Sequence, residues 1–95
     1  GEHPLAIFGM IVRQYRLLIQ VRWLLERNAS ERDIAKTLDL HPYVAKKTRR
    51  QATFFTHEQL QRAYDLLTES DLAIKTGKLT PEAALDLLVA QLTQL

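Results

Sequence analysis

Apolar residues recur along most of the chain at the three- and four-residue spacing of an α-helix. Between Leu5 and about Arg27 one stripe runs through Phe8, Val12, Tyr15, Ile19 and Trp23. A second runs through Ile7, Ile11, Leu18 and Leu25, widened by Leu17, Val21 and Leu24, and Arg13, Arg16 and Gln20 interrupt the pattern. A helix that is apolar over most of its circumference packs on more than one side, so this one is expected at the centre of the molecule.

Stop and start signals divide the remainder. Ser30 reads as an N-cap, with Glu31 and Asp33 placed to favour the positive end of a short helix to about Leu38 that buries Ile34, Ala35 and Leu38. After the tight connection Asp39-Leu40-His41, Pro42 suits the first turn of a third helix, where its missing N–H costs nothing. That helix is expected to reach about Phe54 with Val44, Ala45 and Ala52 inward, and Tyr43 packed back as a core residue. Thr56-His57-Glu58-Gln59 fits a capping box opening a fourth helix through Leu60, Ala63, Tyr64, Leu67 and Ile74, which Gly77 stops by adopting positive φ. Thr80-Pro81-Glu82 opens a fifth with a stripe at Ala84, Leu85, Leu88, Leu92 and Leu95. The expectation is all-α: a compact bundle of about five helices with no strands.

The 95 residues suit one domain, spanning 1–95. The chain opens on Gly1 and its only methionine is Met10. It is therefore read as an excised domain, with residues 1–4 disordered or left over from cloning. No cysteine is present, which removes disulfides and thiolate metal sites and fits a cytoplasmic location. No apolar run approaches the roughly 20 residues of a membrane span, so no membrane contact is expected. Asn28-Ala29-Ser30 has the form of a glycosylation sequon but reads as loop and helix cap.

The net charge of +2 hides an asymmetry. Residues 1–53 carry ten Lys or Arg against five Asp or Glu, a balance of +5, whereas 54–95 carry three against six, a balance of −3. A basic half invites a nucleic-acid reading, against which stands an ordinary solvated helix face.

Catalysis finds no support. His3, His41 and His57 are far apart with no i, i+4 pair, and Gly9 and Gly77 stand alone, so neither a histidine metal site nor a phosphate-cradling loop is expected. Neither a cofactor nor a small-molecule substrate is implied. Residues 30–52 outline a helix-turn-helix, whose second helix enters the major groove in DNA-binding versions. Lys46, Lys47, Arg49 and Arg50 are candidates for phosphate contact there. Against that reading, Asp39 occupies a turn position where glycine is common, and Pro42 and Tyr43 replace the usual base readers. Two helices packing into a bundle is the plainer alternative.

Asp71 falls on the apolar stripe of the fourth helix, where a carboxylate is costly unless paired. Arg13 or Arg16 on the first helix is the expected ion-pair partner. The side chain capping a neighbouring helix, or facing outward after a small rotation, are the alternatives.

Four segments in register carry a resemblance: Arg13-Gln14-Tyr15-Arg16-Leu17-Leu18, Ile34-Ala35 with Leu38, His41-Pro42-Tyr43 followed by Lys46-Lys47, and Asp71-Leu72-Ala73-Ile74-Lys75-Thr76-Gly77. Together they resemble the C-terminal domain of the delta subunit of bacterial DNA polymerase III, part of the clamp-loader complex, from about Leu5 to Leu92. The resemblance implies a helical collar domain, one of five joined in a ring above ATPase-type modules. It further implies oligomerisation with the ATPase subunits of the loader, and at most weak contact with primer–template DNA. It implies no clamp binding and no ATP hydrolysis by this piece, which is not an enzyme, although the parent would belong to the DNA polymerase III holoenzyme.

The first and fifth helices carry more apolar surface than one core needs, which marks Phe8, Leu87 and Leu88 as candidate subunit contacts. Lys75 and Lys78, flanking Gly77, join the Lys46–Arg50 cluster as candidate DNA-backbone contacts. A stand-alone helix-turn-helix DNA binder is the competing function.

Overall fold

The structure, a computed structural model, describes residues 3–95. Five helices follow one another: α1 (Pro4–Glu26), α2 (Glu31–Thr37), α3 (Pro42–Ala52), α4 (His57–Lys75) and α5 (Pro81–Leu92), with no strand among the described residues. The expectation for residues 1–4 falls partly on 1 and 2, which lie outside the described residues. His3 and Pro4 depart from it: His3 caps α1, its Nδ1 accepting the Leu5 N–H at 3.2 Å, and Pro4 begins the helix.

The start signals act as their chemistry dictates. Ser30 Oγ accepts the Asp33 N–H at 3.1 Å, and the Ser30 N–H donates to Asp33 Oδ2 at 3.2 Å, closing a reciprocal box. Thr56 and Gln59 make the same exchange at 3.0 and 2.9 Å, and Thr80 caps α5 through the Ala83 N–H at 3.2 Å. His41 repeats the His3 arrangement, with Nδ1 accepting the Tyr43 N–H at 3.1 Å immediately before a proline.

Three helices end on a residue with left-handed backbone: Asn28 (φ 61°), Asp39 (φ 52°) and Gly77 (φ 76°). At the first two, the next N–H returns to a carbonyl of the preceding turn, Ala29 to Leu24 at 3.1 Å and Leu40 to Ala35 at 2.8 Å. Asp39 therefore does the work expected of a glycine, because a short Asx side chain tolerates this conformation. Its identity is no objection to a helix-turn-helix connection.

α1 is the spine, packed against α3, α4 and α5, while α2 packs on α3 and α5 on α4. Two buried clusters lie along it. Its C-terminal half joins Leu18 and Val21 to Ile34, Ala45, Ala52 and Leu60, and its N-terminal half joins Phe8 to Leu67 and Leu88. Tyr15 packs against both clusters, meeting Phe55 edge-on with ring centroids 6.2 Å apart. Burial pushes its hydroxyl pKa up.

On α3 the inward residues are Ala45, Thr48 and Ala52. Val44, expected inward, is 37% exposed because it lies most of a quarter-turn from that line. Tyr43, expected in the core, is 67% exposed: it stands on the face opposite Ala45 and Ala52. α3 also stops at Ala52, so Phe54 lies beyond the helix and is 78% exposed.

Candidate functional site

No described residue belongs to a group of three or more His, Asp or Glu side chains able to hold a metal ion, and no described helix is long and apolar enough to cross a membrane. The surfaces that remain are of two kinds, basic and apolar.

The basic cluster on α3 divides by helical angle. Tyr43, Lys46, Lys47 and Arg50 share the outer side, the face turned away from Ala45, Thr48 and Ala52, and Phe54 lies just past the end of the helix beside them. With Gln51 they line one shallow cleft of about 420 Å³. Arg49 points elsewhere and meets Glu31 of α2 at 3.6 Å. Lys46, Lys47 and Arg50 make no ion pair among the described residues, so their charge faces solvent. Phe54 also borders a second cleft, with Gln14, Tyr15, Leu18, Gln51 and Phe55, and so stands as a ring between two depressions.

The other candidate backbone contact, at the end of α4, is built differently. Lys75 Nζ lies 2.8 Å from Asp71 Oδ2, one helical turn earlier. This corrects the expected partner of Asp71: neither Arg13 nor Arg16 reaches it. The carboxylate side chain is 45% exposed rather than facing the core, so it has no need of a partner from α1. Arg16 and Asp71 do border a common groove of about 460 Å³ between α1 and α4, floored by Phe8, Val12 and Leu67. Gly9 also lines that groove, and a Cβ there would meet nothing within 4 Å. Lys78, beyond Gly77, is exposed and unpaired among the described residues.

The expected apolar contacts need correction too. Phe8 and Leu88 are buried, and together with Leu67 they form the second cluster, so neither is free for a partner. Leu87 is 48% exposed. The structure adds residues the periodicity had assigned inward or passed over: Leu5, Met10 and Trp23 on α1, Leu72 on α4 and Val89 on α5 are large, apolar and exposed. On α5, Leu87 and Val89 flank the buried Ala84–Leu88 line on either side. Trp23 is screened on one face by Arg27, whose guanidinium carbon lies 3.5 Å from the ring centroid while Nη1 donates to the Trp23 carbonyl at 3.0 Å.

Comparison with known proteins agrees with this architecture. Residues 1–92 match the family described as DNA polymerase III delta subunit, C-terminal domain. The chain belongs to that family. It is 33% identical over 92 residues to DNA polymerase III subunit delta of Bacillus subtilis, covering 97% of this chain and 26% of that protein. It superimposes on the solved Bacillus subtilis DNA clamp loader delta protein with a TM-score of 0.91 at 32% identity, covering all of this chain and 28% of the other. The chain thus spans about a quarter of the length of each relative.

Proposed function

We propose that these five helices form one collar domain of a DNA polymerase III delta subunit, whose task is to hold that subunit in the clamp loader by packing against its neighbours, the ATPase subunits. The observation that carries this reading is the apolar surplus of α5. Eight of its twelve residues are Ala, Leu or Val, and one buried line serves the internal core while Leu87 and Val89 remain outside on both flanks. Uncovered apolar area on a helix with so few charges is what a protein neighbour removes from water. Leu5 and Met10 on α1 extend the exposed apolar set. Such a role involves no chemistry by this segment and belongs to the cytoplasm, where replication complexes work on DNA.

Leu87→Glu with Val89→Glu tests it. Both positions are exposed, so the melting temperature of the isolated chain stays within a few degrees while co-purification with the loader's ATPase subunits is lost. Unchanged co-purification would sink the proposal.

DNA contact is the secondary part of this reading. The Lys46–Arg50 cluster supplies open positive charge, and Lys75 and Lys78 supply less of it because Asp71 neutralises the former. Charge reversal at Lys75 and Lys78 is expected to weaken DNA binding of the assembled loader and leave assembly intact. Loss of assembly in that variant would assign the corner to a subunit contact instead.

A further inference from the structure

We infer that the outer side of α1 is a second docking seam, which receives a helix from another subunit of the loader and selects it by an acidic residue set opposite Arg16. The inference rests on the collar reading and adds to it a contact separate from the flanks of α5.

Spacing is the first observation. Leu5, Gly9, Val12, Arg16, Ile19 and Trp23 follow one another at alternating intervals of four and three residues, the repeat by which one helix lies along another. At about 100° per residue the six fall within an arc of about 80°, spread over about 27 Å of helix axis. In the C-terminal half that arc lies opposite Leu18 and Val21, which α1 commits to the internal core. Leu5 and Trp23, at the two ends of the seam, are each about half exposed.

Shape is the second. Gly9, Val12 and Arg16 border the groove of about 460 Å³ shared with α4, and Ile19 and Trp23 border another of about 360 Å³ shared with Thr37 and Leu38 at the end of α2. Two depressions thus open along one line. Gly9 presents no side chain, so the seam has a gap at that point, of the kind a facing side chain enters.

Charge decides the occupant. Arg16 is the one cation among the six and makes no ion pair among the described residues. The carboxylates beside the seam are engaged elsewhere, Glu26 with Arg22 and His57, and Asp71 with Lys75. A guanidinium covered by a partner is costly unless that partner brings a carboxylate to it. A second copy of this chain fails that condition. Pairing the seam with itself, parallel or antiparallel, brings two Arg16 side chains to within about a turn of each other, and no seam residue is acidic. The fitting occupant is an unlike helix, apolar at the same repeat and carrying one acid. A closed ring of unlike subunits requires two different faces on each member, and the α1 seam and the α5 flanks are two such faces.

The test places each variant in the delta subunit and measures its association with the other loader subunits, purified one at a time, in a surface binding assay. Arg16→Glu should weaken association with one of them at least about tenfold, whereas Arg16→Lys should keep most of it. Gly9→Gln adds a side chain into open space and a better helix former. Its melting temperature should therefore hold or rise while the same association is lost, an outcome that a merely structural glycine would not give. If Arg16→Glu and Gly9→Gln leave every association intact while Leu87→Glu with Val89→Glu loses one, the seam is overturned and the collar reading stands. If neither set has an effect, both readings fall. Loss of only the partner that the α5 variant also loses would overturn the claim of a separate contact. Self-association of the delta subunit that Gly9→Gln abolishes would overturn the choice of occupant.

Discussion

The two ends of α1 combine the same ingredients, a small apolar core and a few lysines and arginines, in opposite ways. At the C-terminal end the core is made with small residues, Ala45 and Ala52, that bring α3 close, and Lys46, Lys47 and Arg50 are left outward with no acid to meet them, Arg49 alone reaching Glu31. At the N-terminal end the core uses Phe8, Leu67 and Leu88, and the nearby lysine of α4 is held by Asp71 one turn away. Cations on helices are thus no measure of positive surface. What matters is which of them has an anion within reach on its own or the adjoining helix.

Substitutions at the buried centre of each end give the largest effects and test whether the ends are separate. Leu88→Ala and Ile34→Ala, each removing a fully buried side chain, should lower the unfolding free energy by about 2–5 kcal/mol in a urea titration. Because they sit in different clusters, the double variant should approach the sum within about 0.5 kcal/mol. A Leu88→Ala variant with unchanged monomer stability and weakened association would return that residue to the subunit interface.

A cap comes next. Ser30→Ala should cost about 1 kcal/mol, felt only at the end that contains α2. The carboxylate of Asp33 is held below its ordinary pKa, first by the Ser30 backbone N–H, then by the Ser30 side chain, with Arg32 and Lys36 adding to the effect. A depressed native pKa means the unfolded chain takes up the proton first. The contribution is therefore full above the ordinary aspartate value and is lost as the pH falls through the lower native one. Asp33→Asn should flatten that acid limb in thermal melts taken between neutral pH and about pH 2.

Asp71→Ala gives the smallest stability change, below about 0.5 kcal/mol, since its ion pair is an exposed i, i+4 contact. Its value lies elsewhere: it frees Lys75 and so makes the N-terminal end resemble the other. If the contrast between the ends is one of pairing, the salt dependence of DNA binding by the assembled loader should steepen by about 0.7–0.9 in slope, one phosphate's worth. An unchanged slope would place this corner off the DNA path.

Much of the fold was legible because helix punctuation is local. Ser30, Thr56, Thr80 and Gly77 act within a turn of their own position, so sequence alone located every helix to within a few residues. Burial is not local, and there the reading failed. Phe8 and Leu88 look like the spare half of an over-apolar helix until α4 is seen to close over them. Val44 and Tyr43 look inward until the alanines fix the rotation of α3 about its axis. Asp71 lies on an apolar stripe at 3.6-residue spacing, yet a modest rotation takes it to the rim, where a neighbour four residues away suffices. The basic cluster was visible as composition but not as a face, because Tyr43 beside it had been assigned to the interior. A count of angles from Ala45 and Ala52, treating small residues as the buried line, would have found it.

Tyr15 packs against both clusters, with its ring edge-on to Phe55. In the language of cooperativity it is a coupling element: the loss of order at one end of α1 removes contacts that the other end shares. Replaced by alanine, it would leave α1 as a bare strut between two small cores. Hydrogen exchange at Ile34 and Leu88, which should report one common opening in the intact chain, would then divide into two.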